Sequence, residues 1–137
     1  MRNLMRAGIL ALALAGIIMP VTAASAASNP AVGTWRIHDT GQGCWGGGAM
    51  FADNSLGGGG GCSIVTPLGH EIASIVPQNW SPLSPGTFQI CLNIVVKSGP
   101  AFPVPAGQIC FPLQATSGAP LPVPLGPDTL GKVVLAG

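Results

Sequence analysis

The 137-residue chain is almost uncharged, with five Lys and Arg residues against four Asp and Glu residues and only 7% charged residues overall. This composition offers no basic face for phosphates, so it excludes nucleic acid as a partner, and it offers no acidic array for calcium or polycations. Because solubility usually comes from charged surface, the folded domain must expose uncharged polar residues or lie against an envelope surface, a partner or a second copy of itself.

The first 26 residues have the pattern of a secretion signal. Met1–Arg6 is short and basic, Ala7–Met19 is apolar and uncharged, and Ala24–Ala26 supplies the small residues of a cleavage site. We predict cleavage after this motif, which leaves residues 27–137 as a single small domain. The apolar run is too short to span a bilayer comfortably. We therefore expect no membrane span after cleavage and a secreted or periplasmic mature chain.

Beyond the signal, the sequence predicts strands and almost no helix. The whole chain has 21 glycines and 14 prolines, nearly all of them after the signal, and these residues break helices. The clearest strand places Phe88, Ile90 and Leu92 on one face and Gln89 and Cys91 on the other. The candidate strands in chain order are Val32–His38, Cys62–Thr66, Glu71–Val76, Thr87–Val96, Gln108–Leu113 and Lys132–Ala136. They predict an all-β fold, a small antiparallel sandwich or barrel.

The first candidate strand opens with Val32-Gly33-Thr34-Trp35, which resembles the Gly-x-Trp opening of lipocalin- and avidin-like barrels. In those families the Trp closes one barrel end beneath the first strand, so the resemblance implies a buried Trp35 and a barrel architecture. It covers only these four residues. Small barrel inhibitors of secreted proteases share the same opening.

The four cysteines are predicted to form two disulfides, because exported proteins meet an oxidising environment. Four cysteines allow three connectivities. We favour Cys44–Cys62 and Cys91–Cys110, since each pair brackets a hairpin-like segment. Setting Cys91 opposite Cys110 centres the second turn on Pro100–Ala101 and puts that disulfide on the more polar face of the sheet.

The glycine-rich segment between the first two cysteines allows two interpretations. A hairpin with its turn at Asp53–Asn54 would set Met50 against Leu56. Because glycine strands are weak, the segment equally fits a mobile loop held at its base by the disulfide. For the run Gly57–Gly61 we expect the flexible loop. No Gly-Lys-Ser/Thr follows this run, so it is not a phosphate-binding loop.

Trp45 and Trp80 are the predicted binding residues. Tryptophan stacks on sugar faces and anchors protein interfaces. Trp45 lies beside a glycine run, which suggests partial exposure, and Trp80 lies within Gln78–Pro82, which we interpret as a loop. Because a Trp in a small disulfide-containing domain usually packs on the bridge, we favour the core for Trp45, whereas for Trp80 the core and the exposed interpretation are evenly matched. For Trp35, which lies inside a strand, we expect the core.

The only candidates for a metal or acid–base site are His38-Asp39 and His70-Glu71. Adjacent residues on a strand point to opposite faces, so we expect exposed strand-end histidines instead. No nucleophile-elbow motif surrounds a serine, and the cysteines are committed to disulfides. No catalytic residue, metal or cofactor is therefore predicted.

Three classes of function follow. The preferred one is an exported non-catalytic binding domain that recognises a protein, a glycan or an apolar ligand, with a protease inhibitor as a specific form. The second is a structural or self-associating envelope protein, which the scarcity of charge favours. The third is a small hydrolase or metal-dependent enzyme that uses His38, Asp39, His70 and Glu71.

Overall fold

The computed structural model describes residues 29–100, 104–115 and 119–136. The chain divides into two units, Met1–Pro30 and Ala31–Gly137. Only Asn29 and Pro30 of the first unit are described, so the predicted signal and its cleavage site lie outside the described residues. The second unit is built on one eight-stranded sheet.

The strands of this sheet are paired antiparallel throughout. They are β1 Ala31–Asp39, β2 Gly43–Phe51, β3 Gly59–Thr66, β4 Gly69–Ser84, β5 Thr87–Ser98, β6 Gly107–Gln114, β7 Leu121–Pro122 and β8 Thr129–Leu135. Their spatial order is β6-β5-β4-β3-β2-β1-β8-β7, so β1 to β6 form a meander and β8 returns to pair with β1. The sheet curls into a half-barrel, and Ala115, just after β6, forms a bridge with Val133 of β8.

The predicted all-β antiparallel class is confirmed, and the architecture is one curled sheet rather than two packed ones. Within the described ranges there is no helix at all, and hence none long and apolar enough to cross a membrane. The predicted strands are all present, most with slightly different ends, while β2 and the short β7 complete the sheet.

The hydrophobic core lies on the inner face of the curled sheet. In β5 the buried side chains of Ile90, Leu92 and Ile94 alternate with more exposed ones, as predicted. Trp35 is 1% exposed and its Nε1 donates a hydrogen bond to the Gly57 carbonyl oxygen at 3.0 Å, which confirms its predicted core position. The remaining core residues are Ile37, Cys44, Met50, Leu56, Cys62, Ile64, Ala73, Ile75, Val104, Phe111, Leu113, Val123, Leu125 and Val133.

Both predicted disulfides are present at the predicted register. Cys44 lies directly opposite Cys62, and Cys91 lies directly opposite Cys110. The first bridge is fully buried in the core, whereas Cys110 of the second is exposed on the outer face, as expected for the more polar side. Of the predicted turn after β5, Ala101 lies outside the described residues.

Glycines join β2 and β3 at close range, and this corrects the flexible-loop interpretation of Gly57–Gly61. The run enters β3 at its third residue and pairs with β2, where Gly60 faces Gly46. A Cβ atom on Gly60 would lie 2.7 Å from the Cα of Gly46 and closer still to the Trp45 carbonyl oxygen. Because no larger residue permits this approach, the glycines form an ordered strand pair, and the hairpin interpretation is the right one.

β4 is much longer than predicted. The apolar pattern of Glu71–Val76 ends before Pro77, but the strand continues to Ser84. Its pairing with β5 shifts register just after Pro77 and just after Pro82. Proline cannot donate a ladder hydrogen bond and is tolerated at bulges. The bulges therefore let one strand accommodate prolines that suggested a loop.

Candidate functional site

Trp45 points outward from β2, with 46% of its surface exposed. It pairs with Gly61 of β3, and a Cβ atom on Gly61 would lie only 3.0 Å from Cζ2 of the indole. The ring therefore rests on bare glycine backbone, which supports it without covering it. Trp45 lies at the surface, so the favoured core position for this residue was wrong, and its binding role stays a prediction.

A groove of about 490 Å³ lies beside Trp45 on the outer face of the sheet. It is lined by residues 34–38 of β1 and residues 45–48 of β2, and we call it the Trp45 groove. The glycines at 46–48 contribute no side chains, so backbone forms its floor. Thr34, Arg36 and His38 supply polar groups along the β1 side, and no acidic residue is present in the lining within the described part of the chain.

A second recess of about 340 Å³ adjoins the Trp45 groove, sharing Arg36 and His38 with it and adding Pro120 and Lys132. Arg36 and Lys132 are direct partners in the ladder between β1 and β8, and we call them the cation pair. Side chains directly opposite in a sheet have Cβ atoms about 5 Å apart, and like charges at such positions repel. Sequence reasoning missed this pair, since only the register between the first and last strands reveals it.

Trp80 faces the inner side of the sheet. The register shift after Pro77 sets Trp80 opposite Ile90, so its half-buried ring packs against the core. Its Nε1 donates a hydrogen bond to the Phe51 carbonyl oxygen at 2.9 Å, and its ring meets Phe88 edge-on with centroids 5.7 Å apart. The loop assignment of Trp80 was wrong. Its contacts fasten β4 to the end of β2, and a binding role for it stays a prediction.

The four residues considered for an alternative metal or acid–base site do not come together. His38 lines the Trp45 groove on β1, whereas His70 lies on β4, with two strands between them. Asp39 ends β1, and Glu71 is fully buried on the inner face. Across residues 29–100, 104–115 and 119–136, no group of three His, Cys, Asp or Glu side chains could hold a metal ion.

Ser63 and His70 form a contact that the sequence did not indicate. The Ser63 Oγ lies 2.8 Å from the His70 Nε2 at an exposed position on β3 and β4. A serine nucleophile needs a base that a third group orients and donors for an oxyanion. The neighbouring Glu71 points to the other face, where its Oε1 accepts a hydrogen bond from the Val104 N–H at 3.3 Å. Glu71 therefore cannot complete a triad with this pair.

The outer face of β3–β5 carries an exposed apolar patch. Val65, Ile72, Val76 and Val95 are 40 to 63% exposed, and we call them the apolar face. Val95 pairs with Ser74, which pairs with Gly61 and so continues the row that begins at Trp45. The apolar face and the Trp45 groove thus adjoin on one side of the sheet.

Comparisons of the chain with protein-family models, with curated proteins and with solved structures each found no match. The Gly-x-Trp resemblance thus gains no further support from these comparisons.

Proposed function

We propose that this chain is an exported, non-catalytic binding domain that recognises a saccharide through the Trp45 groove. The observation that carries the proposal is the exposed Trp45 indole, held on a glycine backbone beside an open groove. An indole covers the apolar face of a sugar ring, and flanking donors satisfy its hydroxyls. Thr34, Arg36 and His38 provide such donors along the groove.

Two further features support this class of function. The groove is open along its length, whereas an apolar small molecule is usually held in an enclosed pocket. Disulfides persist in oxidising compartments, so both bridges are compatible with an extracellular or periplasmic location.

Substitution of Trp45 tests the proposal. The mature protein is titrated with a panel of neutral and acidic oligosaccharides, and binding is followed by calorimetry. Trp45→Ala is expected to weaken the binding of any ligand found by at least about tenfold, as loss of an aromatic anchor does. Trp80→Phe is the matched control, because it removes an indole outside the groove while keeping the ring contact with Phe88.

Unchanged affinity in Trp45→Ala would exclude the groove as the recognition surface. Equal losses in Trp45→Ala and Trp80→Phe would indicate a general effect of losing an indole. Chromatography of the ligand after incubation covers the enzyme alternative. Appearance of a product would replace the binding-domain proposal with a catalytic one.

Self-association is the second candidate, and the apolar face favours it. At the exposures given above, these side chains leave on the order of 300–400 Å² of apolar surface in water, the size of the largest patch on a typical monomer. Interfaces are about 60% apolar, so this patch corresponds to about 600 Å² per partner, at the lower limit for a stable dimer. The four side chains of the apolar face are themselves uncharged.

Sedimentation of the mature protein tests this candidate. Wild type is expected to dimerise at micromolar to millimolar concentration, and Val76→Lys should remove the dimer by placing a charge within the apolar face. Leu68→Lys, at an exposed turn outside the defined patch, serves as the control. A monomer at all concentrations would eliminate self-association through this face.

A further inference from the structure

The cation pair is an unusual arrangement in a chain with so little charge. Arg36, Lys97 and Lys132 are the Lys and Arg residues of the described part, and two of these three lie directly opposite each other. Direct opposition of like charges destabilises a sheet. A bound anion would offset this repulsion by supplying the countercharge.

The surroundings of the cation pair also favour an anion. The recess at the cation pair is lined by Arg36, His38, Pro120 and Lys132, so three of its four side chains donate hydrogen bonds when protonated. No carboxylate is among these lining residues in the described ranges. Arginine donates two parallel hydrogen bonds to a carboxylate, and lysine adds a compact positive charge.

We propose that the cation pair binds the carboxylate of an acidic saccharide whose neighbouring sugar ring stacks on Trp45. The inference rests on the proposed function and names its ligand class. The two recesses share Arg36 and His38, so one chain of sugars can reach both the aromatic ring and the cation pair. An uncharged floor at Gly46–Gly48 lets the saccharide backbone approach closely.

An acidic saccharide fits this combination better than an acidic protein segment. Each uronic acid unit carries both a carboxylate and an apolar ring face. In a chain of such units, one unit can therefore offer its charge to the cation pair while its neighbour offers a ring face to the indole. An acidic peptide would use the cation pair but gain little from the indole, which packs against Gly61 beside the groove. Dependence on Trp45 therefore separates the two ligands.

The experiment compares ligands with the same sugar backbone that differ in charge and by one small methyl group per unit. Oligogalacturonate and its fully methyl-esterified form are titrated into the mature protein at low salt, with polyglutamate as the acidic polypeptide. We expect the ester to bind at least about tenfold more weakly than the acid, because a charge-assisted contact is lost. Arg36→Gln and Lys132→Gln should each weaken oligogalacturonate at least about fivefold. Lys97→Gln removes an exposed lysine from β5, far along the sheet, and should leave affinity unchanged.

A second measurement separates a ligand site from a merely structural pair. Without ligand at low salt, Arg36→Gln and Lys132→Gln should raise the midpoint of thermal unfolding, because each relieves the repulsion between the cations. At the same concentration, oligogalacturonate should raise the midpoint of the wild type by more than the midpoints of these variants. Variants that both lose affinity and gain stability would identify residues placed for binding.

The outcomes distinguish this inference from the proposed function. If acid and ester bind equally and both depend on Trp45, the saccharide function stands and the anion inference is wrong. If oligogalacturonate and polyglutamate bind equally and neither depends on Trp45, the site takes acidic polymers in general and both proposals are wrong. If Lys97→Gln weakens binding as much as Lys132→Gln, attraction is non-specific and the cation pair is not a site. No binding of oligogalacturonate would also overturn the inference.

Discussion

In the pairing of β2 with β3, Gly46 lies opposite Gly60 and Gly47 opposite Gly59, and we call these four residues the glycine ladder. We predict that one methyl group added at Gly60 of this ladder destabilises the protein. In Gly60→Ala the new Cβ would meet the Trp45 carbonyl oxygen and would lie 2.7 Å from the Gly46 Cα. Both obstacles are backbone of a strand held by its neighbours, so β2 must move. Overpacking of this kind costs about 1–3 kcal/mol. The stiffer unfolded chain of alanine offsets only about 0.4–1 kcal/mol of that cost.

Gly59→Ala is the matched control, one residue earlier in the same strand. A Cβ at Gly59 meets nothing closer than the Ile75 carbonyl oxygen at 3.8 Å, which is an ordinary contact. Neither glycine has a left-handed backbone, so the backbone conformation at both positions is one that alanine adopts without strain. Gly59→Ala should therefore stabilise the protein by about 0.4–1 kcal/mol through the unfolded state.

Urea unfolding of the two variants, followed by tryptophan fluorescence with both disulfides intact, measures this contrast. We expect their free energies of unfolding to differ by about 1–3 kcal/mol, which for a domain of this size separates the thermal midpoints by several degrees. If this segment were a mobile loop, the two substitutions would change the free energy of unfolding by the same amount. Equal effects of Gly59→Ala and Gly60→Ala would therefore refute the ordered ladder.

Three further predictions follow from the packing. Trp80→Ala should lower the free energy of unfolding in urea by about 2–3 kcal/mol, because it removes a half-buried ring, its contact with Phe88 and a hydrogen bond. A change below about 0.5 kcal/mol would restore the assignment of Trp80 to a loop. Alkylation of the native protein should label no cysteine. Graded reduction should open Cys91–Cys110, which reaches the surface at Cys110, before the buried bridge Cys44–Cys62, and the reverse order on peptide mapping would show that burial does not control access to the bridges. Thr129→Val should lower the free energy of unfolding by about 1–3 kcal/mol, because the buried hydroxyl accepts from the Cys44 N–H and donates to the Leu125 carbonyl oxygen, and both groups would lose their partner. An unchanged midpoint of thermal unfolding would count against that role.

The sequence by itself determined the parts of the fold that depend on neighbouring strands. Alternation with a period of two assigned the inner and outer sides of β5. The same period set Cys91 opposite Cys110, since a short connection leaves few registers for two adjacent strands. A tryptophan within an alternating strand likewise indicated the buried Trp35.

Bulges and close backbone contacts were decided only by the tertiary structure. The shift after Pro77 moves Trp80 to the inner face, because one extra residue reverses the alternation of everything that follows. Glycine propensity argued for a loop at Gly57–Gly61, but pairing on both sides of β3 outweighs that weak local preference.

The candidate site divides in the same way. The sequence identified Trp45 as a candidate binding residue but favoured packing of its indole on a disulfide, and only the pairing of β2 with β3 decided that the ring lies at the surface. The opposition of Arg36 and Lys132 depends on β8 returning to pair with β1, from the far end of the domain. Nothing local fixes the register of strands so distant in the chain, because it emerges only when the curled sheet packs both strands around one core.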